Sequence, residues 1–106
     1  MYKQLIIIGD FEFDNSIIQD FDYLILPNIE LTNNYQGIYN NESIDFDYII
    51  VTSKISKRIL TEDGFIITNN HFETSIDNYF AVGNKVRTNK TINEQIKIII
   101  DYIKEN

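Results

Sequence analysis

The chain has 106 residues, 43% hydrophobic and 13% aromatic, which is enough apolar material for one core in a single domain over residues 1–106 and too little length for separate cofactor and substrate domains. Its net charge is −7, with nine acids and one base in residues 1–50 against seven acids and eight bases in residues 51–106, so the broad basic footprint of a nucleic-acid binder is missing. Cysteine is absent, which excludes disulfides, thiolate metal sites and thiol redox chemistry within the chain. No apolar run approaches the roughly 18 residues that cross a bilayer, and Met1-Tyr2-Lys3 leads straight into a strand-like run rather than a signal peptide. A soluble, cytoplasmic protein without membrane contact is expected.

In chain order, Leu5 to Ile8 is a continuous branched run ending in Gly9-Asp10, the pattern of a strand buried on both faces. Asp14, Asn15 or Ser16 can cap a short helical turn carrying Ile17, Ile18 and Phe21. Tyr23 to Leu26 then reads as a second strand ended by Pro27-Asn28. Strand, short helix, strand predicts a trimmed crossover with parallel strands. From Ile29 to Ser43 the chain is polar and punctuated by Asn33-Asn34, Gly37 and Asn40-Asn41, which predicts a small hairpin or meander. Phe46 to Thr52 is another buried strand, and Ser53 to Leu60 is expected to form a short helix through Ile55, Ile59 and Leu60. Asp63-Gly64 marks a tight turn into a short strand, Phe65 to Thr68, and Tyr79 to Val82 is a further strand stopping at Gly83. Thr91 with Glu94 makes a capping box for a helix from Ile92 to Lys104, whose Ile92, Ile96, Ile99 and Ile103 recur at helical spacing. Ile98, Ile100 and Tyr102 widen its apolar face, which is expected to be buried, the alternative being a second contact with a partner subunit.

The residues that carry chemistry elsewhere are sparse. His71, the single histidine, lies in an Asn69-Asn70-His71 loop and is expected to be solvated; a metal site there needs Glu73 or Asp77 to complete it. Asp10, Glu12 and Asp14 alternate and share one face when extended, but they lack the glycine and glutamate of a calcium loop and read as a solvated acidic edge. Ser53, Ser56 and Ser75 have no partnered base. Lys54, Lys57 and Arg58, and Lys85, Arg87 and Lys90, are small basic clusters of the kind usually found on solvated faces.

Between Thr61 and Asn84, Gly64, Ile66, Thr74, Ser75, Phe80, Ala81 and Gly83 stand at spacings that resemble the C-terminal FAD-domain segment of the thioredoxin reductase-like disulfide oxidoreductases. YKQLIIIGD is similar to the strand that opens that domain. Asp47, Tyr48, Ile50, Thr52 and Ser53 are similar to its Asp-Tyr-x-Ile-x-Ala-Thr-Gly strand. The resemblance covers most of the chain loosely and implies a minimised FAD domain in which the NADPH domain is absent, because only Lys54 to Thr61 separate the last two matching segments. The departures are specific. Gly9-Asp10-Phe11-Glu12-Phe13-Asp14 stands where Gly-x-Gly-x-x-Gly lets a pyrophosphate approach the backbone, Asn84 stands where the family has aspartate, and the second strand runs into Pro27-Asn28 with no acid at its end for a ribose. Gln95 fits poorly as a flavin contact because of its distance from the chain end.

The expected fold is a small Rossmann-like α/β domain with a parallel central sheet, a short β-meander and a C-terminal helix. The expected function is that of a non-catalytic or accessory protein without a cofactor, acting through a protein partner or as a homo-oligomer. The alternative is a small FAD- or nucleotide-binding electron-transfer protein, reduced by a separate partner, whose pocket is built from Gly9, Thr52, Gly83 and Asn84.

Overall fold

Leu5, Ile6, Ile7 and Ile8 are all buried, as a strand covered on both faces requires, and this strand becomes the interior of the sheet. The computed structural model describes residues 4–9 and 11–105. In chain order it contains β1 (Gln4–Ile8), a 3-10 helix (Asn15–Ile18), β2 (Asp22–Leu26), β3 (Glu30–Asn33), β4 (Gln36–Tyr39), β5 (Glu42–Asp45), β6 (Tyr48–Val51), β7 (Thr61–Glu62), β8 (Phe65–Ile66), β9 (Tyr79–Ala81) and α1 (Ile92–Glu105).

The central sheet has the order β2-β1-β6-β9, and all three pairings are parallel. The chain is thus a mixed α/β fold with a four-stranded parallel sheet and one long C-terminal helix. Register puts Ile25, Ile7, Ile50 and Phe80 in one row across the sheet, so these side chains share a face. Phe80 meets the α1 residue Tyr102 edge-on, with 6.1 Å between centroids, which identifies that face as the one covered by the helix. On the opposite face Tyr79 packs against Phe46 at 6.1 Å, and burial pushes its phenol up to about 12.

Strands β3, β4 and β5 form a separate antiparallel meander, as the turn residues predict. Asn40 and Asn41 both adopt positive φ in the tight turn between β4 and β5, a conformation asparagine tolerates better than most residues. Main-chain bonds from Phe46 N to Tyr35 O (2.9 Å) and from Asp47 N to Gln4 O (3.0 Å) lead the meander back into the sheet.

Two expected elements differ from what forms. Ser53 to Leu60 is not a helix but a series of bends. Here Ser56 Oγ accepts from Arg58 N at 3.2 Å, while Ser75 Oγ donates to Arg58 O at 2.8 Å and accepts from Leu60 N at 3.0 Å. Serine hydroxyls thus take the backbone groups that a helix ladder would use. The strand expected over Phe65–Thr68 is shorter, Phe65–Ile66, and pairs with Thr61–Glu62 across the left-handed Asp63-Gly64 turn. Asp10 lies outside the described residues.

Helix α1 has the expected start. Thr91 N donates to Glu94 Oε1 (2.9 Å) and Glu94 N donates to Thr91 Oγ1 (3.2 Å), a reciprocal capping box. Its buried face carries Ile96, Ile99, Ile100 and Ile103, with Ile98 and Tyr102 partly buried against the core. The bond from the Thr91 amide, then that with its hydroxyl, holds the Glu94 carboxyl below its ordinary value of 4.5. A carboxylate with a depressed folded pKa adds stability that is present above the unfolded pKa and lost as pH falls through the folded one. Stability is therefore expected to decline on acidification below the ordinary glutamate range, and Glu94→Gln to reduce that slope in urea titrations at stepped pH.

Candidate functional site

The strands of a parallel sheet all present their carboxyl ends at one edge, and the residues that follow them gather there. Gly9 follows β1, Thr52 follows β6, and Gly83-Asn84 follow β9 by two residues. Val82 N donates to Val51 O at 3.0 Å, which carries the register past the strand end. The four residues singled out from the sequence therefore converge on one edge. Thr52, Gly83 and Asn84 line a cleft of about 400 Å³ together with Phe11, Lys85 and Ile92, and Gly9 lies beside it against Thr52 and Phe11.

The two glycines serve different ends. At Gly83, φ is +93° and a Cβ would meet only Ile92 Cδ1 at 3.7 Å, so the position is glycine for its backbone conformation rather than for space. At Gly9, φ is +140° and a Cβ would stand 2.8 Å from Thr52 Oγ1 and 3.1 Å from Phe11 Cδ1. The room that this glycine leaves is taken by the chain's own side chains. Thr52 Oγ1 is further anchored by donating to Ile8 O at 3.4 Å.

The loop after β1 closes this corner. Phe11 and Phe13 are half-buried with ring centroids 5.5 Å apart. Asp14 caps the four-residue 3-10 helix, accepting from Ser16 Oγ (2.7 Å) and Ser16 N (3.0 Å). These bonds, the side-chain one first, hold its carboxyl below the usual carboxylate range, so it remains ionised at neutral pH. Asp14 N donates to Asn93 Oδ1 at 2.8 Å and ties the loop to the start of α1.

These features bear on a dinucleotide. Its pyrophosphate needs bare backbone amides at the start of a helix following β1. Here a single 3-10 turn headed by a carboxylate stands in that place, and Phe11 and Thr52 crowd Gly9. The residues present do not fit a pyrophosphate.

The basic cluster nearest the cleft, Lys85, Arg87 and Lys90, is spread over separate surfaces. Arg87 is drawn to the β7–β8 hairpin, 3.3 Å from Asp63, 3.8 Å from Glu62 and 4.7 Å from the Phe65 ring centroid. Lys85 stands on the cleft, while Lys90 lines an adjoining groove. Among the described residues no group of three or more histidine, aspartate or glutamate side chains is placed to hold a metal ion.

Two residues have roles that the sequence reading did not assign. Gln95 is 3% exposed; its Oε1 accepts from Gly83 N at 2.9 Å and its Nε2 donates to Lys90 O at 2.8 Å, so it braces the cleft wall instead of facing a ligand. The signal was available, because residue 95 lies three after Ile92 and four before Ile99, on the apolar face of the helix. His71 is not a solvated loop histidine. Its ring stacks on Tyr102 at 3.5 Å with 10° between planes, its Nε2 lies 3.3 Å from Glu73 Oε1, and its side chain is only 27% exposed. A stacking partner 31 positions along the chain leaves no local mark in the sequence.

Among the described residues no helix is long and apolar enough to cross a membrane. No protein-family model matches the chain, and no curated protein matches it.

Proposed function

We propose that this chain is a non-catalytic protein on a reduced dinucleotide-binding scaffold, related to the thioredoxin reductase-like flavoproteins, and that it works through protein contacts. The scaffold reading is supported by topology. The first crossover moves from β1 to β2 on one side, and the chain then returns to β6 on the other side of β1. That reversal is the switch point at which open α/β sheets take nucleotides, and Gly9 and Thr52 flank it.

The observation that carries the non-catalytic reading is the filled corner at Gly9: Thr52 and Phe11 occupy the close approach, and the Asp14 carboxylate heads the turn. Like charge in that corner repels a diphosphate. The absence of cysteine removes the dithiol that such reductases use. The test is an ultraviolet-visible spectrum of the natively purified protein, repeated after incubation with FAD and with FMN and gel filtration. A colourless protein after filtration is expected; flavin bands that survive it would overturn the reading.

A second reading rests on one observation, the convergence of Thr52, Gly83 and Asn84 on a single cleft with Lys85 beside them. It makes the chain a small nucleotide- or flavin-binding electron carrier with a modified pocket, reduced by a separate protein. Retained flavin that Gly83→Trp abolishes would favour it.

A further inference from the structure

We infer that the free edge of β2 is a self-association surface, and that its occupant is a second copy of this chain paired antiparallel about a two-fold axis at Leu24; this rests on the protein-contact reading above and names its surface. The two edges of the parallel sheet are finished differently. Along β9, Ala81 N donates to Phe72 O (2.9 Å) and Thr74 N donates to Tyr79 O (2.7 Å), with an antiparallel bridge between Glu73 and Phe80, so a passing segment covers that edge. Along β2, no such bond is made on the outer side among the described residues.

Register decides which groups are left. Gly9 N donates to Leu26 O at 3.0 Å, so Leu26 directs its main-chain groups toward β1. By the alternation of a strand Leu24 and Asp22 do the same, and Tyr23 and Ile25 direct theirs outward. Of the features that protect edges the strand has only the charge of Asp22 at its start: its five residues pair with β1 without a bulge, it contains no lysine or proline, and Leu24 and Ile25 are 41% and 43% exposed.

An edge of this kind is self-complementary in one antiparallel register. Placing the axis at Leu24 sets Tyr23 opposite Ile25 of the second copy and Ile25 opposite its Tyr23, so both outward N–H and both outward C=O groups of each chain are bonded. An axis at Ile25 sets Tyr23 opposite Pro27, which has no N–H. An axis at Tyr23 sets Ile25 opposite Phe21, whose N–H already donates to Ile18 O at 3.0 Å. In the Leu24 register an aromatic residue meets a β-branched one on the helix side of the sheet, and Leu24 meets its own copy on the other. The single charge of the strand, Asp22, falls opposite Leu26 and about 14 Å from its symmetry mate, beyond the screening length at physiological salt.

Sedimentation equilibrium of the full chain is expected to give twice the 12.5 kDa chain mass. Leu24→Lys, which places two like charges on the axis, is expected to give a monomer with an unchanged far-ultraviolet circular dichroism spectrum. As the chain has no other thiol, Leu24→Cys is expected to cross-link to a dimer on mild oxidation, since residues facing each other on such an axis lie about 4.5 Å apart, within disulfide reach. Ile38→Cys, exposed on the meander, is expected to remain monomeric on reducing-agent-free gels. A monomeric wild type overturns the proposal. A dimer that persists in Leu24→Lys and does not cross-link through Leu24→Cys overturns this surface and leaves the protein-contact reading standing; that reading fails separately, on flavin retained after gel filtration.

Discussion

Gly9→Ala is expected to destabilise the fold by about 3 kcal/mol, through backbone strain of about 1–3 kcal/mol at positive φ and a comparable cost of overpacking. The φ of +140° and the 2.8 Å approach to Thr52 Oγ1 are separate contributions, and a double mutant divides them. Thr52→Ala removes Oγ1 and Cγ2, two of the three atoms that crowd the new Cβ, and is expected to recover part of the loss while leaving the backbone part and the contact with Phe11 Cδ1 in place. Thermal unfolding by circular dichroism is the measurement, with a fall in Tm of roughly 10–20 °C for Gly9→Ala alone. Equal losses in the single and double mutants would show that Thr52 does not fill the corner beside Gly9.

Phe80→Ala is expected to cost about 3–5 kcal/mol, the range for removing a fully buried aromatic side chain, against a total of about 5–15 kcal/mol for an ordinary domain. Phe80 is fully buried, meets Tyr48 at 6.5 Å and Tyr102 at 6.1 Å, and through Tyr102 supports the His71 stack. Its loss therefore loosens sheet, helix and the loop at His71 together. Urea unfolding followed by tyrosine fluorescence is the check; a cost below about 1 kcal/mol, typical of surface positions, would contradict the packing described.

Continuous apolar runs made the central strands legible in the sequence, because Leu5–Ile8 and Tyr48–Val51 have no polar face to confuse the reading. The capping box at Thr91 and the isoleucine spacing did the same for α1. The expected helix at Ser53–Leu60 does not form because the Ile55 and Ile59 spacing imitates a helical face, while the hydroxyls of Ser56 and of the distant Ser75 claim its main chain. Gly9, Thr52, Gly83 and Asn84 follow the ends of strands that apolar runs mark, so their convergence on one edge was legible. That Phe11 turns back over Gly9 depends on the path of a loop, and no local spacing encodes it. The bare edge of β2 was equally hidden, since Tyr23–Leu26 reads as a strand whether or not a neighbour follows it.

Gln95 has a consequence for how the cleft moves. By accepting from Gly83 N and donating to Lys90 O, it fastens the loop after β9 to a helix seated on Ile96, Ile99, Ile100 and Ile103. A loop is ordinarily free to fluctuate apart from the core, but moving this one away from the helix breaks a hydrogen bond to a buried side chain. The Gly83 wall of the cleft is thus anchored to the hydrophobic core through one buried side chain.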